Sequence, residues 1–157
     1  MKYAYISRHP HNDVSTEIRR LSEKDYDEII QLWSRANLPN RPRGRDSRSA
    51  ITAQMRANPD FFIGVYENSL LVGTAIVSSD HRKGWINRLA VDSKYRRQGI
   101  GKILVAESEK TLRRHGIRIF CALVEDINTS SKELLKECGY EERHDITYFS
   151  KRDDSDV

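Results

Sequence analysis

Cysteine, proline and glycine are all scarce, with two, four and eight residues in a chain of 157. The cysteines, Cys121 and Cys138, lie in apolar patterns and form no Cys-x-x-Cys pair. That excludes a disulfide framework and a zinc ribbon, and predicts buried, reduced thiols in a reducing compartment. No run of about 18 apolar residues occurs, so no membrane span and no membrane partner are expected. The opening Met1-Lys2-Tyr3-Ala4-Tyr5 lacks the apolar stretch of a secretory signal, and a cytoplasmic location is predicted. His9-x-His11 is a pair with no further ligand spacing, so no metal site is expected. There is no internal repeat. Nor does charge of one sign dominate: 27 basic against 23 acidic residues leave a formal +4. No DNA- or RNA-binding motif accompanies that excess, which excludes a nucleic-acid partner and suits an anionic small ligand.

What is present is a chain long enough for a single core and too short for two. Residues 1–14 read as a flexible arm, 15–151 as the domain and 152–157 as an acidic tail. Thr16 to Leu21 suit a first strand. Ser22 and Asp25 form a capping box, with Leu21 and Tyr26 as its hydrophobic staple. Tyr26, Ile29, Ile30, Trp33 and Ala36 then fall at helical spacing, predicting a helix over 23–36. Leu38 to Asp46 is a basic loop with two prolines and a glycine. Asp46 or Ser47 caps a second helix, which Pro59 ends. Phe61–Glu67 and Leu70–Ser78 pair as a hairpin around Asn68-Ser69, and Trp85–Val91 is another strand. A helix over 101–115 stops at Gly116. Ile117 to Val124 reads as a strand covered on both faces. Ser130 and Glu133 open a helix that closes at Gly139, and Ile146 to Lys151 is a last strand. Hairpin strands early and a βαβ crossover late predict an α/β (α+β) fold, with a mixed, mostly antiparallel central sheet and helices on both faces.

The chemistry lies in Leu89-Ala90-Val91-Asp92-Ser93-Lys94-Tyr95-Arg96-Arg97-Gln98-Gly99-Ile100-Gly101-Lys102. A strand ends, a basic glycine loop follows, and a helix begins. Free N–H groups and the helix dipole converge there, which suits a diphosphate. Arg96 stands where a Walker A loop has its first glycine and Ile103 where it has Ser or Thr, so that reading fails. A third Rossmann glycine is missing as well, because Leu104 occupies its place. Arg/Gln-x-x-Gly-x-Gly/Ala fits at every specified position, from Arg96 to Gly101.

With Asn128, Leu134 and Gly139-Tyr140 following at the spacing N-x5-L-x4-G-[FY], the sequence resembles the GNAT acetyltransferases over roughly residues 15–151. The resemblance implies acetyl-CoA as co-substrate and an amine acceptor. Backbone groups of Leu89, Ala90 and Val91 would then hold the pantetheine arm. Amides from Arg96 through Arg97, Gln98, Gly99, Ile100 and Gly101 to Lys102 would hold the pyrophosphate, and Asn128 would touch the cofactor arm. Each has a plainer reading: Leu89 and Val91 as core, Arg97 and Lys102 as solvated surface, Asn128 as a helix cap. The thioester would enter where strands 85–91 and 117–124 splay apart.

The chain also departs from the family pattern. The tyrosine acid that many members place after the leucine matching Leu134 is Leu135 here; of the substitutes, Tyr140 sits where the family buries an aromatic, and Tyr148 on the last strand is the better one, with core packing or surface as its plainer reading. The strand positions that often hold a glutamate base are Trp85 and Asn87, of which Asn87 is able to position a water within reach of Asp80, His81, Glu125 or Asp126 near the strand ends, each with the plainer reading of a solvated loop residue. In the basic loop, Arg43 and Arg45 would bind an acidic acceptor, and Asp46 would bind or deprotonate the amine unless it only caps the next helix. The alternative is a non-catalytic acyl-CoA-binding module. Oligomeric state is left open, a homodimer included.

Overall fold

The computed structural model describes residues 16–154. The expected arm over 1–14 and the last three residues of the acidic tail lie outside them. Five strands form one sheet in sequence order: β1 (Thr16–Arg20), β2 (Phe62–Glu67), β3 (Leu70–Ser79), β4 (Gly84–Val91) and β5 (Phe120–Ala122). The first three pairings are antiparallel and β4–β5 is parallel. The helices are α1 (Tyr26–Arg35), α2 (Arg48–Ala57), α3 (Ile100–Arg114) and α4 (Thr129–Glu137). This is the mixed, mostly antiparallel sheet that the element order predicts. No helix among the described residues is long and apolar enough to cross a membrane.

Neighbouring residues on β3 show that both faces are covered, because successive side chains point to opposite sides of a sheet. Thr74 accepts a hydrogen bond from the Trp33 indole of α1 at 3.0 Å. A Cβ at Gly73 would lie 2.8 Å from Ile100 of α3. So α1 lies on one face and α3 on the other, and β2 and β3 are buried on both.

The first capping box is real. Asp25 accepts hydrogen bonds from the Ser22 amide (2.6 Å) and hydroxyl (3.0 Å), and Leu21 and Tyr26 are buried beside it. Glu23–Asp25 forms a 3-10 turn that leads into α1. Ser47 caps α2 by accepting from the Ala50 amide at 3.3 Å. The cap of α4 differs from the Ser130 expectation: Asn128 takes that place and accepts from the Ser131 amide at 3.1 Å. Ser130 and Glu133 lie inside the helix, because an Asn two residues upstream of Ser130 satisfies the free amides of the first turn.

Two strand expectations fail. The run 117–124 yields only Phe120–Ala122, with Ile119 and Leu123 more than half exposed. It is an edge strand and not a covered one. Ile146 to Lys151 forms no strand, and Ile146, Tyr148 and Phe149 are exposed. β-propensity is local, whereas a strand exists only when its amides find a partner. Both cysteines are free and half-buried, not fully buried. Burial pushes the Cys138 thiol upward, so it stays protonated at neutral pH.

Candidate functional site

The site grows from β4. Its pairing with β5 covers only Gly84↔Phe120, Trp85↔Cys121 and Ile86↔Ala122. From Asn87 onward, β4 has β3 on one side and no β5 partner on the other. This is the wedge expected between the two strands. Within it the β3 ladder slips: Thr74 faces Ala90, but Ile76 faces Asn87. Ala75 therefore opposes both Arg88 and Leu89, which is a β-bulge on β4. Arg88 has a φ of +49°. For a residue with a Cβ that conformation costs about 1–2 kcal/mol and persists only where surrounding contacts enforce it. At the bulge the Arg88 carbonyl accepts from the Thr74 hydroxyl at 3.5 Å, which turns the N–H of the same peptide, on Leu89, away from Thr74.

Arg88 was not singled out by the sequence, yet it has the best-defined contacts here. Its guanidinium donates to both carboxylate oxygens of Asp46 at 2.5 Å and to the Pro39 carbonyl at 2.6 Å. It also lies 5.0 Å from the Trp33 ring centre. Asp46 is buried and accepts in addition from the Arg41 amide at 2.7 Å. Asp46 is thus a partner of Arg88 and not the cap of α2. The Leu38–Asp46 loop is pinned against the β4 bulge by this pair, with Arg41, Arg43 and Arg45 exposed on it.

At the far end of β4, the buried Asp92 carboxylate receives the Arg35 guanidinium at 2.6 Å and the Lys94 amide at 3.0 Å. Burial pushes this carboxyl upward, but the Arg35 and Lys94 hydrogen bonds outweigh it and hold it below the usual carboxylate range. The turn after the strand is fixed in this way, and Arg96 reinforces it by donating to the Ala36 carbonyl at 2.7 Å.

The glycine loop then delivers the start of α3. Arg97 and Gly99 both have positive φ, +63° and +86°. The Ile103 amide is the first of the helix to reach an acceptor, the Gly99 carbonyl at 3.1 Å. The amides before it are the free donors of the first turn. A Cβ at Gly99 would meet nothing within 4 Å, so this surface is open to a ligand. Gly101 differs: a Cβ there would lie 2.8 Å from Leu134, so its role is close packing of α3 on α4.

The cations divide similarly. Arg97 is 88% exposed and only 4.0 Å from Glu133, whereas the Lys102 ammonium is held by Glu137 at 2.9 Å. Arg96 is scaffold, Arg97 is available, and Lys102 is engaged. Gln98 lies exposed between Arg97 and Gly99, with its amide 3.4 Å from the Lys94 carbonyl. Open surface, free amides and an uncommitted guanidinium fit a pyrophosphate.

Other expected residues are more dispersed. Leu89 and Val91 are partly buried against the core and Ala90 is buried. Asn87 donates to the Ser78 hydroxyl at 2.9 Å, leaving its carbonyl oxygen for a water or an amine. Asn128 is committed through its Oδ1 to the α4 cap. Tyr148 is 68% exposed on an irregular segment and not on a strand.

The profile of the Acetyltransferase (GNAT) family matches residues 26–140, from α1 through the loop to Tyr140. The chain belongs to the GNAT family. An acetyltransferase of Photorhabdus laumondii is 31% identical over 137 residues, spanning 87% of this chain and 94% of the relative. Among solved structures, PaiA N-acetyltransferase from Thermoplasma acidophilum in complex with coenzyme A is similar, with a TM-score of 0.69 and 24% identity. That likeness covers 81% of this chain and 90% of the other. Aminoglycoside N-acetyltransferase AAC(6')-Iy in complex with CoA gives a TM-score of 0.74 at 18% identity, over 90% and 98% of the two chains. At such identities the two structures establish the shared fold. Membership makes this GNAT chain a transferase with acetyl-CoA as its co-substrate.

Proposed function

We propose that this GNAT chain transfers the acetyl group of acetyl-CoA to a primary amine by direct attack of the amine. The observation that supports it most is the continuity of two features on β4: a bulged, half-unpaired strand, followed within ten residues by a helix start with free amides. Acetyl-CoA supplies the thioester carbonyl that the amine attacks. The amides from Arg97 to Lys102 and the Arg97 guanidinium hold the pyrophosphate. Backbone groups of Leu89 and Val91 hold the pantetheine arm, with Asn128 beside it. The peptide N–H at the bulge faces the charge that develops on the carbonyl oxygen.

The two buried carboxylates flanking the bulge, Asp46 and Asp92, are both bound to arginines and offer no base. The amine is therefore taken up in its neutral form, and its proton passes to water ordered by the Asn87 carbonyl oxygen. The thiolate leaves unaided, since its intrinsic pKa is about 8.5; Tyr148 is the candidate to protonate it if its segment closes over the wedge. Arg43 and Arg45, exposed on the pinned loop, favour an acceptor that carries an anionic group near its amine. A panel of acidic and neutral amines, read by thiol release from acetyl-CoA, tests this. Faster turnover of acidic amines, slowed by Arg45→Ala through KM, supports it. Indifference to acceptor charge removes the assignment of Arg43 and Arg45, and no turnover with any amine leaves an acyl-CoA-binding module.

A further inference from the structure

The pair between Arg88 and Asp46 links two parts of the site that are 42 residues apart in sequence. Arg88 sits on the bulge in a conformation that glycine adopts more readily. Three hydrogen bonds hold its side chain, two to Asp46 and one to the Pro39 carbonyl, and its face lies over Trp33. Asp46 is equally occupied, by Arg88 and by the Arg41 amide, while its own carbonyl accepts from the Tyr26 hydroxyl at 2.8 Å. Both Asp46 oxygens are taken up in this way, so it does not serve as the base. What the two residues do is join the acceptor-side loop, α1 and the β4 bulge into one rigid unit. Trp33 extends the unit to β3 through its hydrogen bond to Thr74.

We propose that Arg88 is a positioning residue, which with Asp46 clamps the bulge so that its peptide N–H points at the thioester carbonyl. This rests on the acetyl-transfer reading above. Arg88 itself touches no substrate. The clamp leaves the pyrophosphate loop alone, because Asp92, Arg35 and Arg96 anchor that loop independently. Its loss therefore separates two properties: cofactor affinity persists, while polarisation of the carbonyl disappears. An ion pair that only stabilised the fold would leave the carbonyl environment unchanged in any variant that still folds and binds.

The test is isotope-edited infrared spectroscopy of acetyl-CoA labelled with 13C at the acetyl carbonyl, beside calorimetry of the same samples. The wild type is expected to lower the carbonyl stretching frequency relative to free acetyl-CoA. Arg88→Ala and Asp46→Asn are expected to bind within about threefold of wild-type affinity, with the frequency returned to the free value. Arg88→Gly is expected to behave the same way, since it relieves the backbone and still lacks the clamp. Should Arg88→Ala not fold, the isosteric Asp46→Asn makes the comparison. A wild-type frequency retained in the folded variants, or an unshifted carbonyl in the bound wild type, overturns the proposal. Failure of the wild type to bind acetyl-CoA at all refutes the cofactor reading instead.

Discussion

Arg88 reaches Asp46 with both contacts at 2.5 Å across 42 residues of sequence, and the backbone at Arg88 is in the left-handed region. A strained strand residue and a buried carboxylate thus explain one another. In the proposed mechanism Asp46 is already committed to Arg88, and deprotonation of the amine falls to the solvent.

That gives a pH prediction. When the amine binds neutral and the solvent takes its proton, kcat/KM should rise tenfold per pH unit below the acceptor's own pKa, which for an alkyl amine is about 10.4. Initial rates at saturating acetyl-CoA across the neutral and alkaline range check this. A plateau below about pH 8 would require a base on the protein.

Asp92 gives a stability prediction. Its carboxyl is held below the ordinary range by Arg35 and Lys94, against the effect of burial. A depressed carboxyl contributes stability that is present above its unfolded pKa, about 3.9, and is lost as pH falls through the lowered folded value. Asp92→Asn should cost about 1–3 kcal/mol at pH 7, and the difference from wild type should shrink as pH falls below about 4. Urea unfolding of both proteins at several pH values measures it.

The two loop glycines should fail differently. Gly101→Ala pushes a methyl into Leu134, which a Cβ would approach to 2.8 Å. The methyl is opposed by the end of the Leu134 side chain, and alanine favours the helix over glycine by about 1 kcal/mol, so the net change should stay within about 1 kcal/mol in a thermal melt. Gly99→Ala meets no atom within 4 Å and should cost only the strain of its positive φ.

Arg97 and Lys102 look equivalent in sequence and should not be equivalent in binding. Arg97→Ala should weaken acetyl-CoA binding about tenfold, the worth of one charge-assisted contact to phosphate. Lys102→Ala should matter less, because its ammonium is already paired with Glu137. Titrations at two salt concentrations separate them, with the Arg97 effect fading as salt rises.

Much of this was legible in the sequence because it is local. The Ser22–Asp25 box, the helix over Tyr26 to Arg35 and the strand–loop–helix around Gly99 each depend on residues within a few positions of one another. What could not be read is long-range. Nothing in the loop 38–46 says that Asp46 will meet Arg88, although an arginine in the apolar strand 84–91 is a departure that demands a buried partner. The bulge itself shows only as a register slip between two strands. Ile146 to Lys151 has the composition of a strand, but pairing depends on what the β5 edge offers, and that edge is three residues long. Asn128 has the family's spacing, and the structure gives it a cap to make, which is the plainer of its two readings.

In the proposed mechanism the loop from Arg97 to Lys102 holds the pyrophosphate of acetyl-CoA. Calorimetric titration of acetyl-CoA into the wild type and into folded Gly99→Trp tests it most directly, since that position opens onto free space beside the first-turn amides. Tight binding by the wild type and its loss in the variant are expected. No binding by the wild type, or undiminished binding by Gly99→Trp, would contradict it.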